Sequence, residues 1–128
     1  MVGKDLRVGN YIQRFDEIEQ VETIDNYSAI LYSGDKCFLA NLEGIPITDV
    51  LLLLMGFQDT ADNGHSYRIS VNATDELCWY RQLGRIMYQT RDSGFTRDFN
   101  IQYAHQLQNL YFALTGEELT IKKPDETQ

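Results

Sequence analysis

From residue 99 to residue 116 the chain reads FNIQYAHQLQNLYFALTG, a run without a single Asp, Glu, Lys or Arg. Within it Ala104, Leu107, Leu110, Tyr111 and Leu114 recur at helical spacing, and Gly116 supplies a stop, so the run predicts a helix. The opposite face carries His105, Gln108, Asn109 and Phe112. A face turned to water ordinarily holds Lys and Glu, which support a helix through pairs four residues apart. Amides beside an aromatic ring instead suit bonds to backbone groups, other amides or a flat ligand, with no charge to bury. Such a helix has to be covered on more than its apolar stripe. Two readings stay open. The chain's own loops cover the second face, or it is an interface for a partner or an identical subunit, made by His105, Gln108, Asn109 and Phe112 with the phenylalanine as anchor.

The charges lie elsewhere. Nineteen acidic against eleven basic residues give a net charge of −8. A chain of that sign repels phosphate backbones unless its Lys and Arg segregate to one face, and here they are scattered, so no direct nucleic-acid binding is expected. The acidity serves solubility, with mimicry of a nucleic acid as an alternative. With 128 residues, 43% hydrophobic and 12% aromatic, the chain is long enough for a real core. Its longest apolar run, 50–55, is far too short to span a bilayer. The opening MVGKDLRVGNY has no apolar signal core, which predicts a cytoplasmic protein with Cys37 and Cys78 as free, buried thiols.

The N-terminal third predicts short strands from Tyr11, through EQVETID with Val21 and Thr23 turned to the core, and at YSAILY and KCFLA. Turn residues separate them, which suggests a meander or small SH3-like barrel. GIPITDVLLLLMGF changes character: Thr48 is a good N-cap, Asp49 favours the first turn and Gly56 the left-handed C-cap. Four consecutive leucines predict a short helix covered on nearly all sides. A loop or hairpin follows with Asn63-Gly64 at its turn, then strands in DELCWYRQL, GRIMYQTRD and TRDFNIQY. Arg81, Arg85, Arg91 and Arg97 are placed on the outer face there, opposite Trp79 and Met87. Residues 117–121 form an extended arm or last strand, and 122–128 a disordered tail.

No motif points to catalysis. Asp59 to Gly64 superficially resembles a calcium loop, but Ala61 and Ser70 fall where ligands are required. His65 and His105 have no second His or Cys at ligand spacing, so no metal is expected. His105 has no acid within one helical turn to orient it as a base. Both cysteines sit in apolar strand-like runs rather than beside a histidine. No phosphate-binding glycine loop or nucleophile elbow occurs, and no cofactor is implied.

DLRVGNYI, GIPIT with LLLMGF, and HQLQNLYFALTGEEL together resemble a family of small uncharacterised proteins of Bacteroidetes bacteria and their phages and mobile elements. Arg7, Gly9 and Asn10 match its opening; Ile45, Pro46, Thr48, Gly56 and Phe57 its middle; His105 to Tyr111 and Leu114 to Glu118 its close. The resemblance implies a phage or mobile-element accessory protein in a bacterial cytoplasm, and no activity.

The expected fold is α+β: an N-terminal antiparallel meander or barrel (1–44), then a short buried helix and a second antiparallel sheet packed by the C-terminal helix (45–121). The leading functional expectation is a non-enzymatic protein-interaction module with a protein partner or self-association. The alternatives are a small nucleotide-like ligand held by Tyr80, Arg81, Tyr88 and Arg91, and an acidic nucleic-acid mimic.

Overall fold

The computed structural model describes residues 6–15, 17–59, 66–90 and 96–121. The Asn63-Gly64 turn, His65, Arg91 and the 122–128 tail lie outside them. Among the described residues nine strands form two antiparallel sheets, of four and five strands, each in sequence order. The first comprises β1 (Tyr11–Arg14), β2 (Glu17–Ile24), β3 (Ser28–Leu31) and β4 (Lys36–Phe38). It curls into a half-barrel around Leu6, Ile12, Val21, Ala29, Leu31 and Leu42. The barrel stays open, because β1 and β4 are its two edges.

Val21 is buried as expected, but Thr23 is exposed. The register steps from Val21 opposite Leu31 to Thr23 opposite Ile30, so Glu22 is an extra residue. A bulge of this kind turns every later side chain to the other face, and simple alternation cannot foresee it.

Helix α1 (Asp49–Leu54) begins as its sequence dictates, with the Thr48 hydroxyl accepting from Leu51 N–H at 3.2 Å. Gly56 takes φ +100°, and Phe57 N–H bonds back to Leu52 O at 2.9 Å. The expectation of all-round cover fails. Leu51, Leu52 and Met55 are buried, while Val50 is 63% and Leu53 51% exposed. A helix this short meets the core along one stripe, and its other side carries the Asp49–Arg81 ion pair instead.

The second sheet runs β5 (Gln58–Asp59), β6 (Ser66–Ser70), β7 (Asp75–Tyr80), β8 (Arg85–Thr90) and β9 (Thr96–Phe99). Residues directly opposite in an antiparallel pair share a face. Trp79 lies opposite Ile86 and Cys78 opposite Met87. Trp79 therefore joins the core and Met87 the other face, which corrects their expected grouping. Arg85, opposite Tyr80, is on the outer face, whereas Arg97, opposite Tyr88, takes the inner parity and stacks on Phe99.

Helix α2 (Ala104–Thr115) crosses the inner face, and Gly116 ends it at φ +76°. The main core gathers Leu51, Leu52, Phe57, Leu77, Trp79, Ile86, Ala104 and Leu107, with Leu119 and Ile121 of the following extended arm. Leu114 is 39% exposed, because burial fades along the second half of the helix.

One segment laces the two sheets together. Glu43 exchanges two backbone bonds with Gln13 of β1, at 2.8 and 3.2 Å. Ile45 O then accepts from Ala104 N–H at 2.8 Å, and Ile47 N–H donates to Gln102 O at 3.2 Å. Gly44 lies between these ties with the Tyr103 ring against its backbone. A Cβ there would meet the root of that ring at 2.6 to 2.9 Å. Gly44→Ala is expected to cost about 1–3 kcal/mol, read from urea denaturation, and Tyr103→Ala should relieve most of that cost in the double variant. Additive costs would contradict the contact.

Candidate functional site

The amide face of α2 is an internal seam. Gln108 is fully buried and so is Asn10, while His105 is 1% exposed. Gln108 Oε1 accepts from Tyr11 N–H at 2.8 Å and from Asn10 Nδ2 at 3.4 Å. Its Nε2 donates to Leu119 O at 2.9 Å and to Gly9 O at 3.2 Å. Asn109 Oδ1 accepts from Asn10 Nδ2 and from Arg7 Nε, each at 2.9 Å. Arg7 also clamps Glu118 with two bonds of 2.7 Å and lies over the Phe112 ring, 4.7 Å from its centroid.

Amides suit this seam because one side chain both donates and accepts, where a lysine or glutamate would need a buried counter-charge. Of the expected interface residues, the chain therefore encloses His105 and Gln108 and partly covers Asn109. Only Phe112, 43% exposed beneath Arg7, faces outward. Gln108→Leu keeps the volume but strands the Tyr11 N–H and the Leu119 carbonyl. It should cost about 2–4 kcal/mol in a denaturation experiment, against less than about 1 kcal/mol for Phe112→Ala. Equal costs would mean that the seam is not what holds this face.

The expected ligand-binding residues are not brought together. Tyr80 lies on the outer face, where its hydroxyl accepts from Gln89 Nε2 at 2.6 Å. Tyr88, opposite Leu77, lies on the inner face with its hydroxyl on Asp75. That bond holds the Asp75 carboxyl below its usual range and raises the tyrosine. Arg81 is in the turn after β7, paired with Asp49, and Arg91 is outside the described residues.

The outer face carries a polar cluster of its own. The Cys78 thiol donates to Glu76 at 3.2 Å, and Arg68 stands 3.7 Å from that carboxylate. Burial first, and then the Glu76 bond, push the thiol up to about 12. It stays protonated and weakly nucleophilic at ordinary pH. Iodoacetamide at mildly alkaline pH should label the half-buried Cys37 in the folded chain and reach Cys78 only on unfolding. Equal labelling rates in native protein would overturn this environment.

A concavity lies at the open seam of the half-barrel. It is a cleft of about 730 Å³ lined by Arg14 and Phe15 at the end of β1, Lys36, Cys37 and Phe38 of β4, and Glu43. Its lips are aromatic and unusually bare, with Phe15 87% and Phe38 66% exposed. Only Phe15 and Asp16 separate Arg14 from its partner Glu17 across the β1–β2 hairpin, and Phe15 takes φ +52°. Two-residue hairpin turns favour positive φ and select Asn or Gly for it. A bulky side chain there costs roughly 1–3 kcal/mol and throws its ring outward.

Arg14 forms the floor. It bonds Glu19 at 2.7 Å and Asp35 at 2.6 Å, approaches Cys37 Sγ to 3.0 Å and lies 5.3 Å from the Phe15 ring centre. Two carboxylates hold that guanidinium, so it is a structural plug with a rim of rings around it. Sequence patterning passes over this site. Its signals were a phenylalanine at a tight-turn position, in RFDE, and the outward parity of Phe38 in KCF.

No group of three or more potential metal ligands occurs among the described residues, and none of their helices is long and apolar enough to cross a membrane. No family model matches the chain, and neither a curated protein nor a solved structure is found similar to it.

Proposed function

We propose that the chain is a non-enzymatic protein-binding module whose working surface is the half-barrel cleft. The observation that carries this reading is the pair of bare rings, Phe15 at 87% and Phe38 at 66% exposure, on either side of a 730 Å³ cleft. Exposed aromatics around a concavity are what a partner's side chains bury against. The strained backbone at Phe15 supports it, because the fold keeps a costly conformation that does nothing for its own core.

The states of Arg14 and Cys78 favour binding over chemistry. Arg14 is saturated by Glu19 and Asp35, and the Cys78 thiol is held protonated. A nucleotide-like ligand gains no favour from Tyr80 and Tyr88 on opposite faces. The likeness of HQLQNLYFALTGEEL to Bacteroidetes and phage proteins suits an accessory protein that engages a host factor in a bacterial cytoplasm.

Photo-crosslinking tests the surface. Benzoylphenylalanine at position 15 or 38 should give one discrete adduct in Bacteroidetes cells, absent from a control at Leu83, itself 60% exposed. The partner, identified by mass and purified, should reproduce the adduct and lose it when the other phenylalanine is replaced by Asp. Adducts no stronger at 15 and 38 than at 83 would sink the reading.

A further inference from the structure

The two edges of the half-barrel are treated differently. The outer edge of β1 is already occupied: Tyr11 N–H by the Gln108 amide at 2.8 Å, and the N–H and carbonyl of Gln13 by Glu43. Strand β4 pairs with β3 alone among the described strands. In that ladder Asp35 O accepts from Leu31 N–H and Leu39 N–H donates to Tyr27 O, each at 2.9 or 2.8 Å, with Cys37 opposite Ala29 between them. Antiparallel bonding alternates along a strand. The N–H and C=O of Lys36 and the N–H of Phe38 therefore face away from β3, and both residues line the cleft.

We propose that an extended, basic peptide segment of a partner adds to the outer edge of β4 and closes the half-barrel. This rests on the binding-module reading and names its occupant. Strand addition draws its affinity from main-chain bonds and its specificity from alternate side chains. Here the outward side chains of the added strand would pack on Phe38 and Phe15, and the inward ones would face the Arg14 and Cys37 floor.

Charge selects the partner. Between residues 6 and 43 the described chain holds six acids, Glu17, Glu19, Glu22, Asp25, Asp35 and Glu43, against Arg7, Arg14 and Lys36. Arg7 and Arg14 are committed to Glu118, Glu19 and Asp35, which leaves Lys36 as the one basic residue of this stretch outside an ion pair among the described residues. Glu43 in the cleft wall and Glu17 opposite Arg14 make no ion pair among the described residues. A basic strand satisfies them, and a net charge of −8 steers it in. A second copy of the chain brings the same −8 and is repelled.

The test uses three fluorescein-labelled nonapeptides with the whole chain at low salt. One alternates lysine with valine and phenylalanine, one carries glutamate for each lysine, and one is the basic peptide with alternate amides N-methylated. The basic peptide should bind, slow amide exchange at Lys36 and Phe38, and weaken with added salt. N-methylation should weaken it by up to about tenfold, since the bond lost to the Lys36 carbonyl is worth roughly a factor of ten or less. The acidic peptide should not bind, and Phe38→Asp, folded by circular dichroism, should abolish binding. Equal affinity of the methylated peptide, still lost in Phe38→Asp, would overturn strand addition while leaving the cleft as a binding surface. Binding indifferent to Phe15→Asp and Phe38→Asp would be charge attraction alone and would overturn the proposal. So would failure of the basic peptide, with the crosslinking result then deciding the module reading separately. A concentration-dependent dimer broken by Phe38→Asp would also overturn it, by making a second copy the occupant.

Discussion

The whole arrangement hangs on the side-chain amide of Gln108. Its carbonyl oxygen stands where a neighbouring strand would accept from Tyr11, and its amino group holds the opening turn at Gly9 and the arm at Leu119. A fully buried amide is tolerable only when its donors and acceptors are met, and here each is met by a different part of the chain. That requirement fixes where α2 lies relative to β1. Through the arm it also fixes how Leu119 and Ile121 reach the main core. The half-barrel core and the larger core are separate clusters of buried residues, with Tyr11 of β1 packed against the larger one.

The same seam explains the asymmetry of the half-barrel. One edge is consumed by Gln108 and by the 43–47 segment that leads to α1, and a strand added there would have to displace both. Among the described residues the other edge has no such cover, and beside it Phe15 takes a left-handed conformation at the end of β1. Stability and exposure are thus set apart within one small sheet. The side facing the rest of the chain is locked, and the side away from it presents rings, an edge that no described strand pairs with and a guanidinium already neutralised by two carboxylates.

Much of the fold was legible because local chemistry and tertiary structure agree. Thr48, Asp49 and Gly56 bound α1 as their side chains and backbone freedom dictate, Gly116 ends α2, and the strands fall where apolar alternation put them. The failures share a cause. Thr23 lies past a one-residue bulge, Trp79 and Met87 are separated by cross-strand register, and Leu53 and Leu114 lie on helix sides that are only half covered. Each depends on what stands opposite a residue rather than on its own neighbours. The two readings of the α2 amide face stayed open in the sequence for a related reason: amides bespeak a polar partner, but not whether that partner is another molecule or the chain's own turn.

By itself the sequence determined the α+β class, the order of elements, the capped helices and the need for polar cover over the second face of α2. Those follow from periodicity, propensity and the cost of burying polar groups, which act within a few residues of chain. Only the tertiary structure decided that Asn10, Gly9 and Leu119 supply the cover, that the half-barrel stays open between β1 and β4, and that Phe15 and Phe38 flank the opening. The reason is that hydrogen-bond capacity is a property of a side chain, whereas its satisfaction belongs to a pair. Partners some ninety residues apart meet only once the chain has folded.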